Sequence, residues 1–69
     1  MSFGENLKTA IYEKGITPKS LCQFCGVSES AMEKFMNDLM YPSVPLFALM
    51  AEQLGVSMDW LFGGKGTGE

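Results

Sequence analysis

Cys22 and Cys25 stand at C-x-x-C spacing, an arrangement by which two thiols can grip a zinc ion or exchange electrons as a disulfide. Either chemistry needs more than the pair. Structural zinc takes four ligands, and the chain has no histidine and only these 2 cysteines. A thioredoxin-like centre needs a strand–helix–strand setting, and the pattern here is helical. Two free thiols serving as small apolar side chains are expected instead, in keeping with a reducing, cytoplasmic compartment. No cofactor, metal or small-molecule substrate is expected. No nucleophile stands beside a base and no glycine loop is set to cradle phosphate, so an enzyme is not expected either. The remaining groups with chemistry to offer are Ser28, Glu29, Ser30, Glu33, Lys34 and Asn37. They fall on the outward side of one helical stretch, where hydroxyl, amide, carboxylate and ammonium groups are free to hydrogen-bond a partner.

The elements that must position these groups run from Thr17 to Asn37. Thr17 can cap a helix whose first residue is Pro18, a place where the missing N–H costs nothing. Leu21, Cys22 and Cys25 share a face of that helix, and Gly26 supplies the residue that tolerates positive φ at its end. Val27 can plug the turn. Ser28 can cap the next helix, Glu29 to about Asn37, which turns Met32 and Phe35 inward.

This spacing of Leu21, Cys22, Cys25, Gly26, Val27, Met32 and Phe35 resembles the helix-turn-helix of the lambda-repressor-like (Cro/repressor, XRE) family. The likeness reaches from about residue 2 to 63: Phe3 to Lys14 resembles the family's first helix, Pro42-Ser43 its loop, and Leu54 to Leu61 its closing segment. The resemblance implies an all-α, compact five-helix bundle over residues 1–63 with a central helix-turn-helix. It also implies a sequence-specific DNA-binding transcriptional regulator that lays the helix from Glu29 to Asn37 in the major groove of double-stranded DNA. As a homodimer, such a protein sets two of these helices in successive grooves about 34 Å apart. The implied DNA-binding residues are Lys19, Ser28, Glu29, Ser30, Glu33, Lys34, Asn37, Tyr41 and Ser43. Two positions depart from the family's habit. Pro18 replaces a glutamine that helps clamp the backbone, leaving that task to Lys19, and Glu29 stands where a basic or amide residue is usual.

Several of these residues have a second reading. Ser28 and Ser43 can each be a helix cap, Asn37 can be a left-handed cap, and Lys34 can be a solvated lysine. Glu29 can accept from a cytosine amino group or simply favour the positive end of its own helix. Lys19 and Lys34 balance Glu29 and Glu33, and the whole chain carries a net charge of −3, whereas nucleic-acid binders commonly present a basic face. The alternative is therefore a protein–protein interaction module that keeps the fold with weakened or lost DNA binding.

Around this motif the chain supplies support. Ser2 to Glu5 reads as a capping box opening a packing helix of Phe3, Leu7, Ala10 and Ile11, with Tyr12 half-buried at its edge. Pro42 breaks the chain into a loop, and Leu46, Phe47, Leu49, Met50, Ala51 and Leu54 form a broad apolar helix. Ser57 caps a last short helix in which Met58, Trp60, Leu61 and Phe62 are more apolar bulk than one turn can hide, so a dimer interface is expected there, the alternative being that Leu61 and Trp60 pack into the core. No apolar run approaches the ~18 residues of a membrane span. Residues 64–69, rich in glycine, read as a flexible tail.

Overall fold

The computed structural model describes residues 2–63, which form five helices and no strand: α1 (Phe3–Lys14), α2 (Pro18–Cys25), α3 (Glu29–Met36), α4 (Val44–Leu54) and α5 (Met58–Gly63). The tail expected at residues 64–69 lies outside the described residues. A serine or threonine precedes every helix, and its hydroxyl oxygen accepts the backbone N–H three residues on. The distances are 3.1 Å at Ser2, 3.1 Å at Thr17, 3.0 Å at Ser28, 3.4 Å at Ser43 and 3.1 Å at Ser57. Each such oxygen satisfies one N–H that the helix itself cannot, and losing it typically costs about 1 kcal/mol. At α1 the Glu5 carboxylate completes the box by accepting from Ser2 N–H at 3.4 Å. At α2 the Ser20 hydroxyl does the same for Thr17 N–H at 3.3 Å.

Three helices end on a left-handed glycine, but α3 ends differently. Asn37, read as a possible left-handed cap, has φ −105°, and the left-handed residue is Asp38 at φ 60°. The Asn37 amide instead donates to the Glu33 carbonyl at 3.0 Å, closing the last turn with its own side chain. Aspartate is among the few residues that tolerate this backbone region.

α1 packs against α3, α4 and α5, while α2 rests on α3 and α4. Phe3, Leu7, Leu21, Met32, Met50 and Leu61 fill the centre. Two expectations are corrected here. Leu61, placed at a dimer interface by the reading of the sequence, is 0% exposed, because α5 lies across α1 and turns Leu61 into the shared core. Trp60 is half-buried against that core, leaving Met58 and Phe62 at the surface. Tyr12, expected half-buried, is 85% exposed. It follows the buried Ile11 by one residue, and a helix rotates about 100° per residue, which carries Tyr12 off the packed side.

One polar side chain lies inside the core. Asn6 is fully buried, and its Nδ2 donates to the Trp60 carbonyl at 2.6 Å, pinning α5 to α1. Its Oδ1 has no hydrogen-bond partner among the described residues. Among the described residues no helix is long and apolar enough to cross a membrane.

Candidate nucleic-acid interface

The turn between α2 and α3 is closed by two bonds onto one acceptor: Gly26 N–H and Val27 N–H reach the Cys22 carbonyl at 2.8 and 3.1 Å. The doubled bond requires Gly26 at φ 71°, a conformation a side chain would strain. Val27 is half-buried against the core, as its place in the turn predicts. From there α3 runs with Met32 and Phe35 buried and Ser28, Glu29, Ser30, Glu33, Lys34 and Asn37 exposed. The six polar groups therefore share the solvent side of one short helix.

Lys19 joins part of this set. A shallow depression of about 480 Å³ is lined by Lys19 and Pro18 from α2, by Glu29, Ser30 and Glu33 from α3, and at its floor by Cys22, Met32 and Met36. Its charged rim carries one ammonium and two carboxylates. Lys34 follows Glu33 by one residue and stands outside this depression on the same exposed helix.

The hydroxyl oxygens of Ser28 and Ser43 are committed as caps, yet each hydroxyl keeps a proton to donate outward. Asn37 has spent one amide proton on Glu33, leaving its carbonyl oxygen and a second proton. Ser30 makes no hydrogen bond of that kind among the described residues and stands exposed in the first turn of α3. Tyr41 lies elsewhere. Its ring packs 5.5 Å from Phe3 and 6.2 Å from Phe62, so it belongs to an aromatic surface formed with α5 and not to the rim of Lys19 and Glu29.

The two cysteines are free, Cys22 buried and Cys25 half-buried. Burial pushes the Cys22 thiol up, and the nearby Glu29 carboxylate raises it further; burial and then Cys22 raise Cys25. Both shifts disfavour the thiolate, which is the nucleophile and the metal ligand. Among the described residues no group of three or more His, Cys, Asp or Glu side chains gathers to hold a metal ion.

Asp38 was not singled out from the sequence and proves to be a junction. Gly4 N–H donates to its Oδ1 at 2.9 Å, linking the end of α3 to the start of α1. The Ser2 hydroxyl, the Gly4 N–H and the charge of Lys8 hold the Asp38 carboxyl below the usual carboxylate range. Its one sequence signal is Gly4 itself, a poor helix former in a first turn. There the carbonyl of Met36 lies so close that any β-carbon would collide with it.

No protein-family model matches the chain, and no curated protein matches it.

Proposed function

We propose that the protein is a sequence-specific DNA-binding transcriptional regulator of the lambda-repressor-like type that inserts α3 into the major groove. The observation that carries the reading is the solvent side of α3. A short helix, capped at both ends, presents two hydroxyls, an amide, two carboxylates and an ammonium to solvent, with Lys19 of α2 across a glycine turn. A helix of this diameter enters the major groove, and its N-terminal residues reach base edges. In that pose Ser30 donates to or accepts from a base, and Glu29 accepts from a cytosine amino group. Lys19 and Lys34 meet phosphates.

Across α2 and α3 the charges of Lys19 and Lys34 are cancelled by Glu29 and Glu33, which makes the phosphate contribution small. Discrimination then rests on Glu29 and Ser30, and cytosine opposite Glu29 is favoured, since guanine and thymine offer no donor there and adenine sets its N7 acceptor beside its amino group, against the carboxylate. Selection of tight binders from a random pool of duplexes tests this. Enrichment of a short motif containing a C·G pair, whose preference relaxes in Glu29→Gln, is the expected result. A pool that stays random sets the reading aside.

The second reading, a protein-interaction module using the same helix, is favoured by Glu29 and Glu33. They stand one turn apart on the exposed side and form an acidic row that a basic protein surface could answer. A random duplex pool together with a stable complex between α3 and a basic protein would select it.

A further inference from the structure

Four aromatic rings from different parts of the chain build one continuous wall away from the α2–α3 rim. Phe3 lies 5.5 Å from Tyr41 and 5.8 Å from Phe47, and Phe62 lies 6.1 Å from Phe47 and 6.2 Å from Tyr41. Beside the wall, Pro42, Val44 and Met58 enclose an open groove of about 370 Å³. Val44 is 71% exposed, Phe62 65% and Tyr41 59%, so the groove offers bulky apolar groups to water. Surface of this kind on a small domain marks a contact site, and the volume sits at the small end of the roughly 300–1,000 Å³ typical of ligand pockets. None of its lining residues also lines the Lys19–Glu29 depression.

The lining also carries a charge. Asp59 is the one charged residue in it, and no lysine among the described residues takes part. That composition discriminates between occupants. A second copy, the homodimer implied by the family resemblance, would bring the same groove and a second Asp59. Two-fold pairing would then bring two carboxylates together with no cation among the described residues of either lining to answer them. An anionic lipid surface is opposed by the same sign. A protein segment that sets a cation beside its apolar anchor satisfies both the wall and the carboxylate.

We propose that this groove docks a short segment of another protein in which one or two large apolar side chains are flanked by Lys or Arg. The anchor enters between Val44 and Phe62, and the cation pairs with Asp59 or lies over the Tyr41 or Phe62 ring. The proposal does not depend on α3 binding DNA.

Panning the full chain against a random peptide library, followed by titration of the enriched peptide, tests it. The consensus expected is an aromatic, Leu or Met residue beside Lys or Arg, with the amide resonances of Val44, Asp59 and Phe62 shifting on binding. Asp59→Lys should weaken that peptide about tenfold and restore binding of its Lys→Glu counterpart. Val44→Glu should abolish both, while circular dichroism stays helical, because an acid in the first turn of α4 suits the helix. Should Val44→Glu unfold, the charge swap at Asp59 decides alone. An acidic consensus, no consensus, or shifts confined to other faces overturns the proposal. So does a dimer in light scattering that Val44→Glu converts to monomer, which gives the groove to a second copy.

Discussion

Gly4 donates its backbone N–H to the carboxylate of Asp38 at 2.9 Å, joining the first turn of α1 to the residue that terminates α3. The two elements meet so closely that a β-carbon at Gly4 would fall 2.8 Å from Asp38 Oδ2 and closer still to the Met36 carbonyl oxygen. The end of the proposed recognition helix is thus clamped to the helix that carries the core.

Gly4→Ala separates helix propensity from packing. In an exposed helix the change would stabilise by about 1 kcal/mol. Here the clash with the Met36 carbonyl outweighs that gain, and a net loss of about 1–3 kcal/mol in urea denaturation is expected. A more stable variant would show that the close approach is relieved at no cost.

Asp38 makes folding pH-dependent at the acid end. Its carboxyl is held below its ordinary value by Ser2, Gly4 and Lys8, so the folded state favours the charged form. The stabilisation is present above the unfolded-state value near 4 and is lost as pH falls through the lower folded value. The Tm of the wild type should therefore fall faster below about pH 4 than that of Asp38→Asn, which keeps an acceptor but does not titrate. Parallel curves would remove Asp38 from the acid response.

The last helix holds one core residue and one surface residue side by side. Leu61→Ala should cost about 2–5 kcal/mol through the cavity it leaves. Phe62→Ser should cost about 1 kcal/mol, the worth of its aromatic contacts. Asn6→Ala should cost about 1–3 kcal/mol by removing the bond to the Trp60 carbonyl and emptying a core position, and the fluorescence of the single tryptophan should shift toward that of an exposed ring. Equal losses at Leu61 and Phe62 in thermal unfolding would contradict the placement of α5.

The cysteine pair should be chemically quiet. Alkylation at neutral pH is expected to be slow, faster at Cys25 than at the buried Cys22, and added zinc should leave the Tm unchanged. Rapid labelling at Cys22 or a zinc-dependent rise in Tm would restore the metal and redox readings.

What the sequence made legible is local. Ser2, Thr17, Ser28, Ser43 and Ser57 act as caps, and Gly15, Gly26 and Gly55 act as stops, because each works through the backbone within a few residues. The outward set on α3 follows from helical period alone. What escaped depends on distant partners. Asp38 meets Gly4 across 34 residues, Asn6 meets Trp60 across 54, and Tyr41 is drawn to Phe3 and Phe62 by the packing of three elements. Leu61 and Phe62 are neighbours of equal apolar character, and only the docking of α5 on α1 separates core from surface.

Salt titration of duplex binding most directly tests whether α3 and Lys19 face DNA. With two lysines on phosphate, the logarithm of affinity should fall against the logarithm of salt with a slope of about −1.8 for one subunit and about −3.6 for two. Lys19→Ala and Lys34→Ala should each reduce the slope by about 0.9 per subunit. Absence of binding to mixed-sequence duplex at low salt, or a slope that neither substitution changes, would contradict the DNA-binding proposal.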